Sequence, residues 1–296
     1  MTPPPAAAPS SGSSPSSAAS GSASDGGDRY ARGLAALSLV TGTDHPAVLD
    51  PIAEIAPDLA RFTIEFGYGD VWSQPGLTPR QRQIGTIAAL AALGNAAPQL
   101  RFHIAGALNV GCTRREIVET FIHTTVYAGF PAALNALSAA REVFTARADA
   151  GTDPDAEPAS AAVPAAEATP AADRYARGIA LLQEVDGPAG PHVVDSLADI
   201  APDLGRFVVE YAFGDVYART GLDLHTRELA SIAMCTALGT AGPQLRVHLR
   251  AFLNVGGTRE EIVTLLTQLA GYAGFPAALN GVAAAREIFA EQDTAS

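Results

Sequence analysis

One stretch of this chain occurs twice. The run Pro98-Gln99-Leu100-Arg101-Phe102-His103, continuing to Asn109-Val110-Gly111, returns 145 residues later as Pro243-Gln244-Leu245-Arg246-Val247-His248 and Asn254-Val255-Gly256. The correspondence holds without a gap from Arg29/Arg174 to Phe144/Phe289, and the nine residues Tyr127 to Asn135 are identical to Tyr272 to Asn280. A unit this long means two copies of one fold, because solenoid periods are only about 20–50 residues.

Within each copy the apolar spacing is helical. Leu100, Ile104, Ala107 and Leu108 form a buried stripe, and Gly111 supplies a left-handed stop. Thr78-Pro79-Arg80-Gln81, Thr113-Arg114-Arg115-Glu116 and Thr258-Arg259-Glu260-Glu261 carry capping-box side chains. Helices are expected over Arg29 to Leu39, from Pro46 to Ile55, from Pro57 to near Trp72, from Pro79 to Leu93, through the histidine segment, after Thr113 as far as Gly129, and from Pro131. No stretch alternates as a strand would. The expected fold is therefore all-α: a tail over 1–28, a first domain over 29–148, an extended acidic linker over 149–173, and a second domain over 174–290.

Composition removes several functions. A net charge of -12 offers no surface that tracks phosphates, so no nucleic-acid partner is expected. The tail has neither a basic leader nor a long apolar core, so it is read as neither a secretory signal nor a membrane span. All cations are arginine, which excludes a Schiff-base lysine. The two cysteines, Cys112 and Cys235, do not occupy equivalent positions, so no in-register disulfide or metal quartet is available and a reducing, cytoplasmic setting fits.

His103 and His248 lie on the apolar stripe, either as hydrogen-bonded core residues or as inward-facing catalytic groups. The strings Arg227-Glu228-Leu229-Ala230, Leu245-Arg246-Val247-His248, Leu253-Asn254-Val255-Gly256-Gly257-Thr258 and Tyr272-Ala273-Gly274-Phe275-Pro276 resemble the carboxymuconolactone decarboxylase family. The first copy resembles it through Leu93-Gly94, His103, Ala107-Leu108-Asn109, Thr113, Glu116-Ile117 and Tyr127 to Ala133. The resemblance implies an all-helical fold with half-pockets completed by a neighbour, and assembly as a homo-oligomer, here a trimer with six repeats. It also implies one of two chemistries: cofactor-free decarboxylation, or a thiol peroxidase using Cys-x-x-Cys before the histidine. The thiol positions hold Ala241 and Gln244, and Ala96 and Gln99, which disfavours the peroxidase.

A decarboxylase must hold a carboxylate, stabilise an enolate and return a proton to carbon, which needs neither metal nor cofactor. The resemblance assigns His248 and His103 to proton delivery. Glu228 stands where the family has its acid, whereas the first copy has Gln83, so the second copy is expected to carry the active pocket, unless both side chains merely serve a helix first turn. His123, whose counterpart is Gln268, precedes Tyr127 by four residues and joins His103 as a possible second site. Arg101 and Arg246 are substrate-binding candidates, although two residues turn them about 200° from the histidines. Tyr127, Tyr272, Trp72 and Tyr217 are candidate pocket walls. The expected activity is a carboxy-lyase acting on a small or aromatic-derived carboxylic acid. The alternatives are another enolate step, such as isomerisation or ring opening, in natural-product tailoring, and a non-catalytic helical assembly module.

Overall fold

The computed structural model describes residues 22–151, 171–187 and 190–295. Among them there is no strand, and the helices repeat in the same order in both halves. The first repeat contains α1 (Ser22–Thr41), α2 (Asp50–Ala53), α3 (Pro57–Phe62), a π-helical segment π1 (Thr63–Trp72), α4 (Pro79–Leu93), α5 (Ala97–Asn109), α6 (Arg114–Tyr127) and α7 (Gly129–Asp149). The second contains α8 (Ala171–Asp186), α9 (Gly190–Asp195), α10 (Pro202–Phe207), π2 (Val208–Tyr217), α11 (Leu224–Leu238), α12 (Gly242–Asn254), α13 (Arg259–Leu269) and α14 (Phe275–Ala295).

The capping signals act as read. Thr78, Thr113 and Thr258 each close a capping box, and Gly94 and Gly239 end α4 and α11 in the left-handed conformation. Other boundaries move. The expected tail over 1–28 gives way to helix at Ser22, and an Asp28–Arg32 ion pair one turn apart supports that extension. The rest of the tail, and residues 152–170 of the expected linker, lie outside the described residues. The helix expected from Pro46 shrinks to Asp50–Ala53, with Pro51 in its first turn. A longer helix would drive the Pro51 ring into the carbonyl four residues back.

The expected third helix reaches Trp72, but its second half is π-helical. Its end is marked by i→i+5 bonds from Ser73 N to Tyr68 O and, in the other repeat, from Ala218 N to Phe213 O, both 3.1 Å. π-Turns occur disproportionately at functional sites. Here each π segment carries two aromatic residues four apart, Tyr68 with Trp72 and Phe213 with Tyr217. Helix α1 lies on π1 as α8 lies on π2, joined by Arg29–Asp70 and Arg174–Asp215. The backbones touch at Gly33 and Gly178, where an added Cβ would collide with the carbonyl oxygens of Ile64 and Val209.

The two repeats share one core. Helices α4 and α11 pack against each other, and Ile84, Ile87, Leu229, Ile232 and Ala233 merge with Phe121 of α6 and Leu265 of α13 in a single apolar cluster. Burying this surface is the main favourable term, at about 25 cal/mol per Å2 of apolar area. The seam has a second consequence: α6 of the first repeat lies along α11 of the second, and α13 along α4. No described helix is long and apolar enough to cross a membrane.

Candidate functional site

Two buried polar clusters flank the seam, and each draws on both repeats. In the cluster nearer the second repeat, α11 projects Arg227, Glu228 and Ser231 from one side. Helix α12 adds His248, and π2 ends with Tyr217. Helix α6 contributes Glu119, His123 and Tyr127, spaced by one turn. Glu228, fully buried, is held at both oxygens: Tyr217 Oη donates to Oε1 at 2.5 Å, and His248 Nδ1 lies 2.8 Å from Oε2. The Tyr217 and Tyr127 hydroxyls are 2.7 Å apart, Ser231 Oγ is 2.9 Å from Tyr127 Oη, and His123 Nε2 is 2.9 Å from Ser231 Oγ. The Tyr127 ring meets His248 edge-on at 5.0 Å.

Electrostatics separate the groups. Burial alone would lower the His248 pKa, but the charge and hydrogen bond of Glu228, with Asp186 beyond it, outweigh burial and raise it. His123 is held well below the usual range, first by burial and then by Arg227 and His248. Tyr127 and Tyr217 are pushed well above the usual phenol value, chiefly by burial and then by Glu228, so both stay protonated donors. Arg227, fully buried, pairs with Glu119, and Arg219 closes on the same carboxylate. The Nε and Nη1 of Arg227 have no hydrogen-bond partner.

The cluster nearer the first repeat is the same backbone arrangement with different chemistry. His103 Nδ1 is 3.0 Å from Gln83 Oε1, in the place of the carboxylate. Trp72 Nε1 donates to Tyr272 Oη at 3.2 Å, where the other cluster has two tyrosines. Gln268 stands in the place of His123, bonded to Arg82 and Thr86. Burial lowers the His103 pKa to about 3. A pocket of about 430 Å3 opens beside it, lined by Tyr68, Trp72, Phe102, His103, Gln268 and Tyr272 among others.

The structure thus brings His248, Glu228, Tyr217, Tyr127 and His123 together, and His103, Trp72 and Tyr272 on the other side. The expected grouping of His103 with His123 is corrected: α6 crosses the seam, which sends His123 to the His248 cluster. Arg101 and Arg246 join neither cluster. They form ion pairs with Glu142 and Glu287 on exposed faces, as the rotation around their helix requires. Burial pushes both cysteine thiols up to about 12, a state opposed to thiolate chemistry. Among the described residues no three His, Cys, Asp or Glu are grouped so as to hold a metal ion.

Sequence reasoning missed four participants. Ser231, Arg227 and Glu119 sit at helix-interior positions where polar residues read as surface. Asp186, at the end of α8, has its Oδ1 buried without a partner, and its pKa is raised to about 6, mainly by burial and further by Glu228, against the lowering effect of His248. One signal was available: its counterpart is Thr41, another acid peculiar to the second copy.

Comparison with known proteins agrees with this architecture. The carboxymuconolactone decarboxylase family model matches residues 57–142 and again 202–287. A 4-carboxymuconolactone decarboxylase from Acinetobacter baylyi is 38% identical over 128 residues, covering 43% of this chain and 92% of that protein. A nitrosuccinic acid decarboxylase from Metarhizium robertsii is 34% identical over 88 residues, covering 29% of this chain and 60% of that protein. A solved structure from Burkholderia xenovorans, described as a candidate gamma-carboxymuconolactone decarboxylase subunit, shares the fold with a TM-score of 0.53 at 23% identity. It covers 90% of this chain and 98% of its own. With both repeats matched, and with them more than half of its length, this chain belongs to the carboxymuconolactone decarboxylase family.

Proposed function

We propose that the protein is a cofactor-independent carboxy-lyase acting on a small or aromatic-derived carboxylic acid, with the chemistry at the His248 cluster. The observation that carries this reading is the Glu228–His248 contact, which favours an imidazolium in a buried setting. In the reaction the bond to the carboxylate carbon breaks, carbon dioxide leaves, and the electron pair passes into an enolate. The outer nitrogen of His248 is the donor suited to the enolate oxygen, with the Tyr127 ring packed edge-on against the imidazole. His248 then gives its proton to carbon and recovers one from solvent, while Glu228, fixed by Tyr217, keeps the imidazolium favourable. The names of the Acinetobacter and Metarhizium relatives support decarboxylation over other enolate chemistry.

Within this reading His103 lacks an acidic partner and has no equal share in the chemistry. The chain is taken to act in the cytoplasm as a homo-oligomer, a trimer by the family's habit. Support for assembly comes from apolar residues exposed at equivalent places in both repeats: Ile55 and Ile200, Phe62 and Phe207, Phe130 and Phe275. The deciding assay is carbon dioxide release from 4-carboxymuconolactone and related acids by purified, metal-stripped protein. Activity is expected to be lost in the His248→Ala variant; full activity in a His103→Ala/His248→Ala double variant removes the assignment.

A further inference from the structure

The pocket at His103 has aromatic walls and no formally charged side chain in its lining. No Asp, Glu or Arg lines it, and its polar groups are Thr63, Gln99, Gln268, His103 and tyrosine hydroxyls. Gln83 stands in the place of the carboxylate and supplies no charge to hold a second proton on the buried imidazole, with Nε2 as the ring's remaining hydrogen-bonding atom. The one nearby cation, Arg82, is spent: it donates to the carbonyl oxygens of Val71 and Gln74 and to Gln268 Oε1, and it lies behind the Trp72 ring. The walls are aromatic, from Tyr68 and Trp72 on π1, Phe102 on α5 and Tyr272 across the seam, and the volume suits a one-ring to two-ring molecule.

A carboxylate entering this space would lose its hydration and meet no available cation, a cost of several kcal/mol that an uncharged ring does not carry. We propose that the first-repeat pocket is a second ligand site, selective for an uncharged ring compound, aromatic or lactone, that presents one hydroxyl or carbonyl to His103. Two copies of one scaffold, differing by a carboxylate at Glu228 and an amide at Gln83, thus carry two recognition tasks. The inference does not depend on the chemistry at His248.

Trp72, the only tryptophan in the chain, stands in this pocket, so its emission reports occupancy there. The test titrates full-length protein with p-cresol and with p-toluate, which share a ring and differ in charge. Saturable quenching or a shift of Trp72 emission by p-cresol, at least about tenfold tighter than any response to p-toluate, is the expected result. Equal or tighter binding of p-toluate overturns the proposal, as does silence of Trp72 toward p-cresol. In the Gln83→Glu variant, which restores the acid partner of His103, the preference between the two probes is expected to narrow by about tenfold or reverse. An unchanged ratio in a folded variant also overturns the proposal. Carbon dioxide release by the same wild-type preparation is read separately, so failure here leaves the His248 reading standing, and the reverse.

Discussion

Glu228 Oε2 lies 2.8 Å from His248 Nδ1, and in the other repeat Gln83 Oε1 lies 3.0 Å from His103 Nδ1. The geometry is conserved between the copies while the charge is not. One imidazole is raised above its ordinary pKa and the other is lowered to about 3.

Replacing Glu228 by Gln removes the main group that raises His248 and leaves only Asp186 to oppose the lowering effect of burial. Carbon dioxide release is expected to fall by about 100-fold or more, and the His248 resonance to titrate at lower pH by NMR. Stability follows the same sign. A raised histidine contributes fully below its unfolded pKa of about 6.5 and loses that contribution as pH rises through the folded value. The difference in denaturation midpoint between wild type and Glu228→Gln should therefore be larger in acid than in alkali.

His103 has the opposite linkage. Its folded pKa of about 3 lies under its unfolded one, so proton uptake favours the unfolded chain as pH falls between the two. His123, also lowered, acts in the same direction. Urea midpoints are expected to drop as pH falls below about 6.5, and a His103→Gln variant that folds should show a shallower drop.

Asp186 ionises at about 6 rather than 3.8 because burial and Glu228 disfavour its charge. Folding is therefore penalised as pH rises from 3.8 to 6, and the penalty is complete above that. Asp186→Asn should raise the melting temperature well above pH 6 and leave it unchanged below 3.8, as measured by circular dichroism. It should also lower the His248 pKa, because Asp186 is one of the groups that raise it.

Glu119 is the carboxylate shared by buried Arg227 and by Arg219. Glu119→Gln leaves Arg227 without its counter-charge and is expected to cost about 3 kcal/mol in urea denaturation. Arg101→Ala, which breaks only the exposed pair with Glu142, should change neither stability nor activity beyond error. A loss of activity in that variant would restore Arg101 as a substrate ligand.

Ser231 contacts His123, Tyr127 and Tyr217 and donates to the Arg227 carbonyl. Ser231→Ala strands these buried partners, at a cost of about 1–3 kcal/mol by denaturation. Thr at this position, as at Thr86 in the other repeat, should recover part of that loss.

What could be read from the chain alone was what rests on self-comparison and on side chains that cap a helix, although the π-helical turns and the short helix at Asp50–Ala53 escaped it. The duplication was visible in the repeated histidine segment. The helix starts at Thr78, Thr113 and Thr258 and the stop at Gly94 follow from side chains bonding the backbone within a single turn. The family resemblance and the Glu228/Gln83 difference likewise need only the order of residues.

Which groups meet was decided by the tertiary structure. Packing of α4 on α11 lays α6 across the second repeat, so Glu119, His123 and Tyr127 serve a site whose other members belong to the second copy, and Arg101 is turned outward. The two-residue offset of Arg101 from His103 already pointed to that second outcome, whereas nothing in the local sequence marks the seam. The physical reason is that the seam is made by burying non-directional apolar surface from both copies at once, and the charges it brings together have no local signal to announce them.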